Sequence, residues 1–164
     1  DYLEIIKKLK KIKSNIQFSS DFIIGYPGET NEDFQETVKL MKEVRFINSY
    51  SYIFSARPGT PAFNLPTGDK EGAKKRLINF QTVAEKIKNE YRKNLINKIS
   101  IVLFENKTDN TNKYFGRDEY FNSVIVESDV SLIGKIKSVK ITNISGNTLF
   151  GKIILNSNEK NYAA

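Results

Sequence analysis

Residues 20–30 read SDFIIGYPGET, an apolar run that stops at a turn rich in glycine and proline. An apolar run this short predicts a strand that is covered on both faces. Gly25 and Gly28 give the turn backbone freedom, and Thr30 with Asp33 three residues later predicts the capped start of a helix. Because ligands of α/β folds lie where strands end, we expect a site of this chain to lie at this turn.

Composition narrows the possible functions. The chain has 164 residues, 39% of them hydrophobic, which suffices for one ordinary domain or two small ones. Its net charge of +7 favours a polyanionic partner, although a merely lysine-rich composition explains the same value. Without cysteine or histidine, these residues offer no thiolate metal ligand, cysteine nucleophile or histidine base. No apolar run approaches the roughly 20 residues of a membrane span, so we expect a cytoplasmic protein without a membrane partner.

Three helices are predicted in the first part of the chain. Apolar residues recur at helical spacing over 1–13 and 31–44. Asp69 can cap a longer helix that reaches about Leu95 and carries a continuous apolar stripe. The lysines of the first helix form either a solvated face or a nucleic-acid contact. Because the chain begins at Asp1 inside a helical pattern, we interpret it as a piece of a longer polypeptide.

A second strand is predicted over residues 49–55, and it ends in the turn ARPGTP at 56–61. Helix, strand, helix and strand at these short spacings indicate a parallel βα repeat rather than hairpins. Parallel neighbours would bring Asp21 and Arg57 to the same rim. Asp21 is a carboxylate in an apolar strand, where it serves either a structural hydrogen bond or a ligand. The Arg57 guanidinium suits a carboxylate or a phosphate, although arginines on loops are often simply solvated.

After Lys98 the hydrophobic pattern changes to period two, which indicates strands. The predicted strands are 99–105, 114–117, 121–127, 135–143 and 149–155. Five short strands, with Gly134 and Gly151 at bends, predict a small antiparallel barrel. We therefore divide the chain into 1–95, a barrel at 96–156 and a tail at 157–164.

Basic and aromatic residues interleave near the start of the predicted barrel. The residues concerned are Lys113, Tyr114, Phe115 and Arg117. Such a combination can hold phosphates and stack bases on an exposed face, as in proteins that bind single-stranded nucleic acid. The alternative is that the aromatic rings fill the barrel and the cations are solvated.

Two motifs resemble the carboxyl half of the radical S-adenosylmethionine domain of the methylthiotransferase family. They are DFIIGYPGET at 21–30, followed by Asp33-Phe34, and FSARPGTPA at 54–62, and their order and spacing match. The barrel, with Gly116-Arg117 ahead of a strand, resembles the TRAM module that ends these enzymes. Val44-Arg45-Phe46 and the RPGTP turn are most similar to the bacterial branch that adds a methylthio group to carbon 2 of isopentenyladenosine beside the tRNA anticodon. The alternative branches act on an aspartate of a ribosomal protein or on threonylcarbamoyladenosine in tRNA.

The resemblance implies that residues 1–95 are the end of a partial (β/α) barrel. In the family this barrel holds a [4Fe-4S] cluster on a CxxxCxxC loop, and an amino-terminal domain holds a second cluster. Cleavage of S-adenosylmethionine then gives a radical that activates the adenine C–H bond before sulfur and methyl are inserted. None of those cysteines is present here. We therefore expect a piece that has no catalytic residues and is inactive alone, and that at most binds the tRNA anticodon stem-loop. Without its neighbouring strands and its missing amino-terminal domains, such a piece could also dimerise.

The resemblance also implies roles for individual residues. Cofactor contacts are expected from Asp21, Ile24, Gly25, Tyr52, Ile53, Phe54 and Arg57, and RNA contacts from Lys113, Tyr114, Phe115 and Arg117. Arg57 is expected near either the carboxylate of the cofactor or the incoming RNA. Where the family has Gly-Arg-Thr, this chain has Gly116-Arg117-Asp118, which places an extra carboxylate beside the expected RNA face. The competing functional class is a free-standing RNA-binding module for which residues 1–95 are only a scaffold.

Overall fold

A computed structural model describes residues 1–66, 68–108 and 112–154. Tertiary contacts divide the chain into two compact units, Asp1–Glu90 and Tyr91–Ala164. The predicted boundary between residues 95 and 96 lies slightly further along the chain and stays a prediction. The predicted tail at 157–164 lies outside the described residues.

The first unit contains a parallel pair of strands and the helices packed on it. Its elements are α1 (Tyr2–Ile12), β1 (Ser19–Ile24), α2 (Asn31–Val44), β2 (Asn48–Ile53), a short 3₁₀ helix (Pro61–Asn64) and most of α3 (Lys70–Lys93). In the parallel register Asp21 lies opposite Tyr50 and Ile23 lies opposite Tyr52. The predicted parallel βα repeat is confirmed.

Among the described residues, only one face of the two-stranded sheet is covered. Phe22 and Ile24 point into the core and are buried, whereas Ile23 and Tyr52 on the other face are 59% and 57% exposed. Asp21 shares the open face and is also exposed. The prediction of a strand buried on both faces, with a buried carboxylate in it, was therefore wrong. An apolar run does not reveal whether a second layer covers it, because Ile23 has the same side chain in either case.

Local signals set the ends of α2. The Thr30 hydroxyl accepts a hydrogen bond from the Asp33 N–H at 3.1 Å, and the Asp33 carboxylate accepts one from the Thr30 N–H at 3.0 Å. This reciprocal pair confirms the predicted capping box and lowers the pKa of Asp33 below its usual value. At the other end Arg45 adopts a left-handed conformation with φ 59°, and its N–H donates to the Met41 carbonyl.

The long helix follows the prediction closely. Asp69 directly precedes α3, and its carbonyl accepts from the Ala73 N–H at 2.9 Å, as expected of an N-cap residue. Ala73, Phe80 and Ile87 of the predicted stripe are buried in the first unit. Phe80 and Ile87 belong to the core of this unit, which also includes Phe22, Ile24, Phe34, Val38, Met41, Val44 and Phe46.

The second unit is a closed five-stranded barrel. Its strands are β3 (Ile99–Lys107), β4 (Lys113–Asp118), β5 (Ser123–Glu127), β6 (Ile136–Ser145) and β7 (Thr148–Ile153). Their order around the barrel is β3-β4-β5-β7-β6, which confirms the predicted five-stranded barrel. The β5–β7 pair is parallel, unlike the other four pairs. The reason is geometric, since an odd number of strands in a closed ring cannot alternate in direction at every step.

Two glycines allow the barrel strands to approach each other closely. A Cβ atom at Gly116 would collide with the Leu103 carbonyl, and one at Gly151 would collide with the Val139 side chain and the Lys140 carbonyl. Gly134, with φ 72°, lies in the turn before β6. The core inside the strands is aliphatic and aromatic, and it includes Val102, Phe104, Val124, Val139, Ile141 and Leu149 at 0% exposure.

Candidate functional site

An apolar cavity lies beside the carboxyl end of β2. Its volume is about 480 Å³, and its lining includes Ile23, Tyr52, Ile53, Phe54 and Arg57. Arg57 is the charged residue of this lining. The cavity can therefore accept a flat apolar group and offers one cation to a negatively charged end.

The cavity brings together some of the predicted cofactor residues. Tyr52, Phe54 and Arg57 share its lining, whereas Gly25 lines an adjacent cavity of about 240 Å³ together with Phe54. The Ile24 side chain is fully buried in the core, and its carbonyl accepts the Phe54 N–H at 2.8 Å. Asp21 lines neither cavity, since it lies three residues before the end of β1, a distance of about 10 Å. The individual cofactor roles stay predictions.

An ion pair holds the turn that follows β1. The Gly25 N–H donates to Glu29 Oε2 at 2.9 Å, and the same oxygen lies 3.2 Å from Arg76 Nε on α3. The Arg76 Nε–H is not aligned for a hydrogen bond, so this contact is an ion pair. Gly25 has φ +75°, and a Cβ atom there would lie 2.6 Å from the Ala73 Cβ. The turn therefore packs directly against α3 and leaves no room for a side chain at residue 25.

The sequence did not predict this contact. The position of Glu29 at a helix start is explained by the helix dipole alone, and nothing local pairs it with Arg76, which lies far along the chain. The side chains of Glu29 and Arg76 are only 10% and 20% exposed. This burial, which depends on the packing of α3, is the signal that sequence reasoning lacked.

A wider groove, of about 770 Å³, lies between β2 and α3. Within the described residues β1 and β2 pair only with each other, so the other edge of β2 is unpaired. Tyr50, Ile78 and Lys88 are among the residues that line the groove, and Gln81 donates to the Ser51 hydroxyl at 3.4 Å. The unpaired edge agrees with the expectation of an exposed sheet edge.

The predicted RNA residues divide between the two sides of the barrel wall. Lys113, Phe115 and Arg117 point outward from β4, and the Arg117 guanidinium lies 5.5 Å from the centre of the Phe115 ring. Tyr114 is only 6% exposed and belongs to the barrel core. Alternation along the strand turns Tyr114 inward, so it offers little surface to a ligand, and its expected RNA contact stays a prediction.

Both outward cations have carboxylate neighbours. Arg117 Nε lies 3.5 Å from Glu105 Oε1, and Lys113 Nζ lies 3.7 Å from Glu127 Oε1. These side chains are between 42% and 77% exposed, so the pairs are screened and weak. A phosphate group could replace either carboxylate at little cost.

Asp118 does not add a carboxylate to the outer face. It is 7% exposed, and its oxygens accept from the N–H groups of Tyr120 and Asn122 and from the Asn122 side-chain amide, each at 2.9 Å. Asp118 thus closes the turn between β4 and β5. The expectation of a carboxylate beside the RNA face was wrong for this reason. The turn also explains why β5 begins at Ser123 rather than at Phe121, which has φ 60°.

Further outward residues form rows across β4, β5, β7 and β6. The register places Phe115 opposite Ile125, and Ile125 opposite Phe150. Lys140 and Lys152 lie directly opposite each other on β6 and β7, and both are exposed. Sequence reasoning missed Ile125, Phe150, Lys140 and Lys152. Alternation shows that such residues point outward, but only the strand order makes them neighbours.

The described residues contain no group of histidine, cysteine, aspartate and glutamate that could hold a metal ion. The whole chain also lacks cysteine, so its residues do not fit an iron–sulfur cluster. Among the helices of the described ranges, none is long and apolar enough to cross a membrane.

Comparison with known proteins gives a consistent result for both units. Residues 95–154 match the TRAM domain model. Nearly the whole chain is similar to proteins named tRNA-2-methylthio-N(6)-dimethylallyladenosine synthase. Identity is 48% with the protein of Pelagibacter ubique (strain HTCC1062), over 98% of this chain and 36% of the relative. It is 42% with that of Vesicomyosocius okutanii and 41% with that of Vibrio campbellii, each over 94% of this chain.

The match covers both units but only part of each relative. The chain spans about a third of the length of these relatives, 33% to 36%, and matches their carboxyl-terminal part. Both rim motifs and the barrel fall within the matched region. The chain therefore belongs to the radical S-adenosylmethionine methylthiotransferase family, and its barrel is a TRAM domain.

Proposed function

We propose that this chain is the carboxyl-terminal part of an enzyme that transfers a methylthio group to carbon 2 of isopentenyladenosine beside the anticodon of tRNA. The observation that carries the proposal is the match of 98% of the chain, across both units, to a protein named as such a synthase. Relatives that are 42% and 41% identical to this chain carry the same name. That name favours this branch over those acting on threonylcarbamoyladenosine or on a ribosomal protein.

In this proposal the first unit forms one wall of the S-adenosylmethionine site. The apolar lining of Tyr52, Ile53 and Phe54 suits an adenine ring, and Arg57 suits the methionine carboxylate. The Glu29–Arg76 pair supports the wall by holding the adjacent turn against α3. Bound S-adenosylmethionine would supply the methyl group and the radical chemistry of the family. The cluster ligands would have to come from residues outside this sequence, so the chain alone is expected to be inactive.

The barrel is proposed to hold the tRNA substrate. Its outer face carries Lys113, Phe115 and Arg117, and the chain as a whole has a charge of +7. Cations for phosphates beside rings for bases are the combination that single-stranded RNA segments require. We take the anticodon stem-loop as the bound part, since the modified adenosine lies beside the anticodon. A dimer of the isolated chain stays a prediction.

A chimeric enzyme tests the enzymatic role. In the Pelagibacter ubique relative, the matched carboxyl-terminal third is replaced by this chain, and modified tRNA is analysed by mass spectrometry. We expect the chimera to form the methylthio nucleoside. The same chimera carrying Arg57→Ala should bind S-adenosylmethionine or tRNA a few-fold more weakly, as the loss of one charged hydrogen bond predicts. A folded chimera that binds tRNA but forms no product would contradict the assignment of the reaction.

A binding experiment tests the RNA role with this chain alone. The chain is titrated with an anticodon stem-loop at two salt concentrations. Because phosphate contacts release counterions, the affinity should fall steeply as salt rises. Absence of binding at low salt would remove the barrel from the RNA-binding class.

A further inference from the structure

The outer surface of the barrel carries two adjacent rows of different chemistry. The first row crosses three strands and consists of Phe115, Ile125 and Phe150, all partly exposed. The second row lies beside the first, at a separation of two residues on each of β4, β5 and β7, and it continues onto β6. In this row Lys113 lies opposite Glu127, and Lys140 lies opposite Lys152. Two residues along a strand correspond to roughly 7 Å. An apolar platform therefore runs beside a line of three cations and one carboxylate.

The lysine pair is unfavourable for the folded barrel by itself. Like charges directly opposite each other on neighbouring strands repel and destabilise the sheet. Within the described residues neither Lys140 nor Lys152 has a carboxylate partner, whereas Lys113 is paired with Glu127. The uncompensated charge is thus concentrated at the β6–β7 side of the row. An anion bound between these two ammonium groups would remove the repulsion.

A groove of about 500 Å³ runs along β5 and β7, where the parallel pair closes the barrel. Ile125, Phe150 and Lys152 line it together with the Lys113–Glu127 pair, and Lys140 lies opposite Lys152 just outside this lining. The Thr142 hydroxyl donates to the Phe150 carbonyl at 3.2 Å, which ties β6 to β7 beside the ring. The ring of Phe150 is therefore carried by a firmly bonded strand rather than by a loop.

We propose that this groove is a nucleotide subsite for single-stranded RNA, in which a base stacks on Phe150 and the adjoining phosphates lie between Lys140 and Lys152. The inference rests on the proposed RNA role of the barrel and names a part of that role that the predicted residues on β4 do not include. Stacking on an aromatic ring tolerates every base. The subsite therefore adds affinity and orientation rather than sequence selectivity.

The test uses the whole chain and a short unstructured RNA labelled with fluorescein, with fluorescence anisotropy read at two salt concentrations. Phe150→Leu keeps an apolar side chain but removes the ring, and Phe121→Leu is its control because Phe121 is 74% exposed and lies outside the groove. The double variant Lys140→Gln/Lys152→Gln is matched by Lys8→Gln/Lys11→Gln on α1, which loses the same charge. Circular dichroism verifies that each variant is folded.

We expect Phe150→Leu to weaken RNA binding roughly five- to a hundredfold, the effect of one lost base stack, while Phe121→Leu binds like the wild-type chain. The groove lysine variant should lose affinity and give a salt dependence that is shallower by about 0.7 for each lost phosphate contact. Inorganic polyphosphate as competitor separates the two parts of the subsite. The inhibition constant of polyphosphate should rise in the lysine variant, which has lost phosphate contacts. It should be unchanged in Phe150→Leu, which has lost only the ring.

The outcomes distinguish this inference from the proposed function. If the wild-type chain binds RNA but both groove variants stay within about twofold of it, the subsite is wrong and the RNA role stands. If the α1 lysine variant loses RNA binding and the Lys140→Gln/Lys152→Gln variant does not, the subsite is likewise wrong and the RNA role stands. If the wild-type chain fails to bind at low salt, the RNA role itself is wrong and the subsite falls with it.

Discussion

Two faces of the same barrel differ in their chemistry. On β3 and β6, the outward side chains of Ile99, Ile101, Leu103 and Ile136 are 45% to 64% exposed. On β4 and β7, aromatic rings alternate with cations, as at Phe115, Phe150 and Lys152, and β5 between them adds Ile125. Both faces obey the same alternation, which sends every second residue outward. The comparison teaches that alternation decides which residues are exposed, and strand order decides which chemistry they form together.

The largest effect on stability should come from Gly151→Ala. This variant tests whether the barrel that carries the aromatic face depends on the close approach of β6 and β7. The added methyl group would collide with the Val139 side chain and the Lys140 carbonyl, so β6 and β7 would have to separate. We expect a loss of about 2–3 kcal/mol in the free energy of unfolding, measured by urea titration with circular dichroism. Gly68→Ala is the control, since the added group there has no described atom within 4 Å apart from its own chain neighbours. Equal stability of the two variants would show that closure does not depend on Gly151.

A smaller loss is expected from Asp118→Asn, which tests the turn beside Arg117. The new amide group would face the Asn122 side-chain amide, so a donor replaces an acceptor in a buried site. The expected cost is about 1–2 kcal/mol, again by urea titration. Asp129→Asn, whose carboxylate is exposed, should change the stability little. If the Asp118 variant were as stable as that control, Asp118 would not be the residue that organises the turn.

Glu105→Gln tests the border between the two faces, where Glu105 on β3 pairs with Arg117 on β4. Because Glu105 pairs with Arg117, its neutralisation should free the guanidinium and strengthen RNA binding a few-fold. The pair is exposed, so the stability should change little. Glu71→Gln on α3, which removes the same charge from an exposed pair with Lys74, is the control for anisotropy titrations. An equal gain in both variants would mean that net charge alone attracts the RNA.

The smallest effect is expected from Ile101→Ser on the aliphatic face. Ile101 is 54% exposed and lies outside the groove on β5 and β7, so RNA affinity should stay within about twofold of the wild-type value. The same anisotropy titration measures this. A loss as large as that of Phe150→Leu would mean that RNA binds the aliphatic face as well, and the distinction between the faces would disappear.

Much of the architecture followed from local patterns. The capping box at Thr30 and Asp33, the parallel repeat, the apolar stripe of α3 and the five barrel strands were predicted from spacing and turn residues. The apolar cavity at Tyr52, Phe54 and Arg57 also agrees with the predicted rim. Such features depend on residues close in sequence, where hydrogen bonding and periodicity act directly.

Other features could not be predicted because they depend on residues far apart in the chain. Tyr114 and Asp118 were assigned to the surface, but the barrel turns both inward. The Glu29–Arg76 pair requires α3 to pack beside the turn.

By itself, the sequence determined the elements, their order, their boundaries to within a few residues and the family. Only the tertiary structure decided that Ile23 and Asp21 lie on an open face and that Lys140 faces Lys152. The physical reason is that periodicity specifies which side of a strand a residue occupies, whereas burial and neighbourhood depend on what packs against that side and on the register.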